Sequence, residues 1–265
     1  MPPTSPANKF SWHFADRGSG VPVVLVHAFP LNHSMWAEQV DLGRGIRVLT
    51  PDLPGFGKTP LANEAFTIPA VAEALHEQLA ERKALPCVLG GCSMGGYVSL
   101  AFARAFPRDL RGLVLIDTRA EADTADAKKN RDKSISLVRT AGSAAIADQM
   151  IGKLLSTGTV AHRPALVNHV RQMIESAPPA TIAAALGALR DRPDQTDLLP
   201  SISAPTMVIV GEHDTLTPPA ISQAMASAIP HALLRIISSA GHLSPMEQPA
   251  QVNAALAELL AVIPR

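Results

Sequence analysis

The chain predicts an α/β architecture: a doubly wound, mostly parallel sheet with an inserted helical lid. Three observations carry that prediction. Short β-branched runs alternate with amphipathic helical stretches over residues 1–118 and again over 200–265, which predicts one core assembled from two segments. The stretch Val88–Ala101 runs from an apolar segment through Gly90, Gly91, Gly95 and Gly96 into a helical pattern. Over residues 119–199 the alternation stops, and a block rich in alanine, arginine and lysine with helical periodicity replaces it.

Taken in order, Phe10–Ala15 alternates as an edge strand and Asp16–Gly20 reads as its turn. Val21–His27 is nearly continuous in apolar residues, as suits a parallel strand covered on both faces. Asn32–Val40 is a short helix, and Gly45–Thr50 a strand leading into the turn Pro51–Gly57. Thr67–Lys83 places Ile68, Val71, Ala72, Leu75 and Leu79 on one helical face. After the glycine-rich strand and helix, Leu110–Asp117 forms a strand. The inserted block has breaks at Gly142, Gly158, Pro164, Pro178 and Pro179, which divide it into three or four helices over the C-terminal edge of the sheet. Thr206–Gly211, Pro218–Ile229, Leu233–Ile237 and Ala250–Ile263 then read as strand, helix, strand and closing helix.

Composition bounds the function. With 265 residues, 47% hydrophobic and 17% charged, the chain can bury a sizeable core. Its 23 basic and 23 acidic residues balance, so there is no basic footprint for nucleic acid. Cys87 and Cys92 lie five apart across a strand and turn, which excludes a disulfide framework and fits a reducing cytoplasm. Met1–Pro6 is polar and proline-rich rather than basic-then-apolar, and no apolar run approaches a membrane span. The expectation is a cytoplasmic monomer or homodimer without a membrane partner. No glycine-rich dinucleotide fingerprint precedes a helix, so no cofactor is expected. His162 and His169 lie seven apart but lack a third spaced ligand, so no metal is expected either.

Gly91-Cys92-Ser93-Met94-Gly95 has the form G-x-S-x-G, in which a strand reverses sharply into a helix and lifts the serine hydroxyl off the sheet edge. The flanking glycines are needed because strand and helix backbones pass very close there. The Met94 amide opens a helix and is oriented to meet an anion. A serine hydroxyl is a poor nucleophile until a base takes its proton, and the base needs an orienting carboxylate. Downstream, Thr206–Gly211 delivers Asp214 to a strand end, and Ile236–Gly241 presents His242 from a small-residue loop. Each has a plainer alternative: Asp214 as the cap of the next helix, His242 as a solvated loop residue. Asp117, ending the strand after the glycine-rich helix, is a reserve acid with a structural role as its simpler reading. Glu212 and His213 flank Asp214, and Cys92 reads as a small buried residue. Trp36 and Phe29 fit either pocket wall or core. Arg119, Lys128, Lys129, Arg131 and Lys133 form a basic cluster that suits either a solvated face or a carboxylate-bearing substrate.

His27-Ala28-Phe29-Pro30, Asp52-Leu53-Pro54-Gly55-Phe56-Gly57, the G-x-S-x-G turn, Gly211–Asp214 with Thr217-Pro218, and Gly241-His242 together resemble the α/β-hydrolase family from about Phe10 to Ile263. The resemblance implies Ser93 as nucleophile, His242 as base and Asp214 as acid, with the Phe29 and Met94 amides as the oxyanion hole. Ala28 stands where the family usually has glycine. The implied activity is hydrolysis of a small carboxylic ester or lactone through an acyl-enzyme. Small-molecule esterases, enol-lactone hydrolases and cofactor-free perhydrolases are resembled equally well. Alternatives are a C–C bond hydrolase of a diketone using the same triad, or a ligand-binding receptor on this fold.

Overall fold

A computed structural model of the chain describes residues 11–61 and 66–263. Strands β1 (Phe14–Gly18), β2 (Val21–Val26), β3 (Ile46–Pro51), β4 (Cys87–Cys92), β5 (Leu110–Ile116), β6 (Thr206–Gly211) and β7 (Leu233–Ile237) form one sheet. Their spatial order is β1-β3-β2-β4-β5-β6-β7, antiparallel between β1 and β3 and parallel elsewhere. Helices on both faces bury most of the central strands, which is why β2, β4 and the C-terminal half of β5 read as apolar runs.

The helices of the core are α1 (Ile68–Glu81) and α2 (Met94–Ala105). Thr67 caps α1, its hydroxyl accepting from the Ala70 amide. Between β5 and β6 lies the helical cap: α3 (Ala125–Leu154), α4 (Thr157–His162), α5 (Pro164–Ser176) and α6 (Pro179–Arg190). After β6 come α7 (Pro219–Ala228), α8 (Ser244–Glu247) and α9 (Pro249–Val262). Leu100, Leu113, Leu115, Val208, Met225 and Ile229 make an apolar cluster beneath α7. A larger cluster joins the rest of the sheet to the inner face of the cap through Ile146, Leu154 and Leu186. No described helix is long and apolar enough to cross a membrane.

Several boundaries differ from expectation. The edge strand begins at Phe14, and Asp16, Arg17 and Gly18 belong to it rather than to a turn. Their polarity reflects an exposed edge where Asp16 pairs with Arg47 of β3. Phe10 and Met1–Pro6 lie outside the described residues. The cap holds four helices, and Gly142 does break α3: at φ 76, ψ −176 it divides the helix into two limbs. Ser134 Oγ reaches Gln149 Oε1 at 3.1 Å, so the limbs fold back on each other. Gly158, expected as a break, lies inside α4, because Ser156 caps that helix two residues earlier.

Candidate active site

The connection from β4 to α2 sets the geometry. Ser93 has φ 53 and ψ −111, a conformation that costs a non-glycine residue about 1–3 kcal/mol. Hydrogen bonds hold it there: Ser93 N–H donates to the Ile116 carbonyl at 2.9 Å, and Thr118 Oγ1 donates to the Ser93 carbonyl at 2.8 Å. A Cβ on Gly91 would lie 2.1 Å from the carbonyl carbon and oxygen of Gly95, and one on Gly95 would lie 2.2 Å from the Val26 carbonyl oxygen. A methyl group at either position forces strand and helix apart.

Ser93 Oγ lies 2.8 Å from His242 Nε2, and His242 Nδ1 lies 2.8 Å from Asp214 Oδ2. Three residues spread over 149 positions therefore form one continuous relay. The plainer reading of Asp214 as the cap of the next helix does not hold, because α7 has Pro218 at its N-cap and no side-chain hydrogen bond there. Asp214 Oδ1 accepts from the Leu216 and Thr217 amides at 2.8 and 2.9 Å, capping the following turn, while Oδ2 faces the imidazole and accepts from Thr217 Oγ1. Burial penalises the Asp214 charge, but the His242 charge and the hydrogen bonds from His242 and Thr217 outweigh it and bring the pKa down to about 2. Burial likewise opposes a charged His242. The Asp214 carboxylate overcomes that penalty and raises the histidine above its ordinary 6.5.

Asp117 does not hydrogen-bond to the histidine. Fully buried at φ 45, it accepts from Gly211 N–H at 2.7 Å and from Ser244 N–H and Oγ–H at 3.1 and 2.6 Å. It ties the end of the strand that delivers Asp214 to the residue two past His242. Burial and the nearby Asp214 charge push its pKa up.

Among the described residues, neither the Phe29 nor the Met94 amide donates to a protein acceptor. Met94 is the first residue of α2, where an amide has no partner within the helix. Phe29 is held by a residue that the sequence pattern left without a role. His27 Nδ1 meets the Ala28 carbonyl at 2.9 Å, and its Nε2 accepts from Leu53 N–H at 3.0 Å. Burial drives the His27 pKa down to about 4, so the ring is neutral and locks the loop. Ala28 has no positive φ, so its methyl group costs no backbone strain where the family usually has glycine.

A cavity of about 420 Å³ opens above Ser93 and His242. Phe29 and Tyr97 line its floor, Ile146, Met150 and Leu154 of α3 and Leu186 and Leu189 of α6 its roof. Phe29 is thus pocket wall, whereas fully buried Trp36 belongs to the core. Arg119, Arg131 and Lys133 line the cavity; Lys128 and Lys129 do not. Glu247, another residue without a sequence signal, joins floor to roof: it accepts from Gly241 N–H at 2.7 Å, beside His242, and from Ser156 N–H at 2.9 Å, where the cap's α4 begins.

Of the remaining candidates only Cys92 touches the relay, its Sγ donating to the His242 carbonyl at 3.7 Å. Cys87 and Cys92 are free and buried, and burial pushes both thiols up. Glu212 and His213 are exposed, with Glu212 accepting from Ser239 N–H. His162 ends α4 and His169 sits within α5, on separate helices. Among the described residues, His13, His33 and Asp52 have the composition of a metal site, with donor atoms within 4.8 Å of one another. Those atoms already face each other: both Nδ1 atoms bind the Asp52 carboxylate, which also accepts from the His33 and Lys58 amides. The cluster clamps the loop after β3.

The model of the alpha/beta hydrolase family matches residues 23–255. A thermophilic esterase from Thermogutta terrifontis, solved with malate bound, is similar at 44% identity and a TM-score of 0.92, covering 95% of this chain and 93% of that one. The biotin biosynthesis bifunctional protein BioHC of Cellvibrio japonicus is 30% identical over 88% of this chain, which spans only 46% of that protein. The pimeloyl-acyl-carrier-protein methyl ester esterase of Aromatoleum aromaticum is 28% identical, with 86% of this chain and 93% of that one covered.

Proposed function

This chain belongs to the alpha/beta hydrolase family, and on that premise we propose that it cleaves a small carboxylic ester or lactone through an acyl-enzyme on Ser93. The observation that carries the reading is the unbroken relay from Ser93 Oγ through His242 to Asp214, opening on a cavity of ester-substrate size. Similarity to proteins named as esterases supports it.

In this mechanism His242 Nε2 takes the Ser93 proton as Oγ attacks the ester carbonyl. Asp214 holds the ring with Nδ1–H towards itself and stabilises the imidazolium that forms. The negative charge of the tetrahedral intermediate meets the Phe29 and Met94 amides, which need no reorganisation because no protein group competes for them. His242 then protonates the leaving alcohol. Water activated by the same histidine releases the acid and restores Ser93. A fluorophosphonate probe followed by mass spectrometry tests the reading: one adduct per chain on Ser93, absent from Ser93→Ala, is the expected result. A folded protein left unlabelled overturns it.

A further inference from the structure

The chain is electrically balanced as a whole, but its cavity is not. Arg119, Arg131, Lys133 and Lys153 line it, against the single acid Asp123. That acid is already committed: it is nearly buried and accepts from Arg131 Nε at 3.1 Å and from Arg192 at 2.5 Å. Among the described residues no carboxylate pairs with Arg119, Lys133 or Lys153. Arg119 donates one N–H to the Leu216 carbonyl, which orients the guanidinium without cancelling its charge. This arginine stands on the floor, close enough for its charge to act on His242. Lys133 and Lys153 come from the two limbs of α3, brought together by the fold at Gly142. The rest of the α3 wall is mixed, with apolar Ile146, Met150 and Leu154 beside polar Asn130, Ser134 and Gln149.

Apolar patches beside uncompensated cations suit a ligand with a hydrocarbon body and a separate anion. We infer that the substrate carries, away from its scissile ester, a carboxylate held by Arg119 and the Lys133–Lys153 pair. This rests on the hydrolase reading above and narrows it to anionic esters. A charge-assisted contact of this kind is worth about ten- to a hundredfold in selectivity. The part supplied by the exposed lysines weakens with salt.

The test compares matched esters that differ only in the remote charge. Mono-p-nitrophenyl adipate against p-nitrophenyl hexanoate places the anion on the acyl side. Para-acetoxyphenylacetate against its primary amide places it on the alcohol side. At low ionic strength we expect the wild type to favour the anionic member of at least one pair by about tenfold or more in kcat/KM. Added salt shrinks that ratio, and Arg119→Gln or the double change Lys133→Gln/Lys153→Gln cuts it about tenfold. Lys129→Gln, paired with Asp126 outside the cavity, leaves the ratio in place. A wild type that labels on Ser93 and hydrolyses the neutral esters without preferring either anionic partner overturns this inference and leaves the hydrolase reading standing. A preference that survives both variants overturns it as well. A protein that neither labels nor turns over any ester overturns the hydrolase reading first and the inference with it.

Discussion

The floor and the roof of the cavity are built to different tolerances. On the floor, a methyl group added at Gly91, Gly95 or Gly211 would come within 2.0–2.2 Å of backbone atoms. In the cap, one added at Gly142, Gly152, Gly158 or Gly187 would meet nothing within 4 Å. The floor's groups are also buried and bonded on several sides: Asp117 and Asp214 each accept from backbone amides as well as side chains. The cap's charged groups are largely exposed ion pairs such as Arg190–Asp132 and Arg171–Asp148, each worth little on its own. On the proposed function, reaction geometry is set by close-packed backbone, and selectivity by side chains that can change without disturbing it.

The largest effect that would break this contrast is expected from the floor. Ser93→Ala should lower kcat on the order of a millionfold in a steady-state ester assay while leaving far-ultraviolet circular dichroism unchanged. Residual turnover close to wild type would remove Ser93 from the chemistry. Asp214→Asn should cost about ten-thousandfold, because the ring loses the group that selects its tautomer. It should also move the pH profile. His242 must be neutral to accept the serine proton, and its pKa is raised above 6.5, so wild-type kcat/KM should rise with pH through a midpoint above 6.5. Without the Asp214 charge that midpoint should fall; one that stays put would show that Asp214 does not act on His242.

Gly95→Ala tests the packing itself. Spreading strand and helix by about an ångström should cost about a hundredfold or more in the rate of Ser93 labelling. A labelling rate equal to wild type would show the contact to be loose. On the roof the expected effects are smaller. Gly142→Ala forces alanine into a positive-φ conformation and should lower stability by about 1–3 kcal/mol in urea unfolding, with Ser93 labelling kept within about threefold. Equal loss of labelling would mean that cap and floor act as one unit, through ties such as Glu247. Smallest of all, Gly187→Ala fills open space within α6 and should raise stability by about 0.5–1 kcal/mol. A fall in stability would contradict the open packing there.

What could be read from the sequence follows the same division. The strand boundaries of β6 and β7 and the turn around Ser93 are legible because local pattern determines them: short runs rich in apolar residues for the strands, buried on both faces in β6, and glycines for close backbones. Asp214 and His242 are legible because each ends or follows such a strand. The first strand is misread because Asp16 and Arg17 look like turn residues, and their fit depends on Arg47 across the sheet. His27, Asp117 and Glu247 act through partners 26, 127 and 91 positions away, and no local pattern encodes those contacts. In the cap, Gly142 and Pro164 mark real boundaries, but the return of one α3 limb against the other appears only in three dimensions.

The 149 positions that separate Ser93 from His242 also order events during biosynthesis. A ribosome completes the strained turn early, then the whole cap and the strand carrying Asp214, before it adds His242. Throughout that interval the nascent chain carries a serine hydroxyl no more reactive than any other alcohol. In the proposed mechanism, reactivity switches on only when β7 docks against β6 and brings Gly241 and His242 up to the relay. On that reading a growing chain is spared premature acylation, and a truncated one released before His242 is chemically silent.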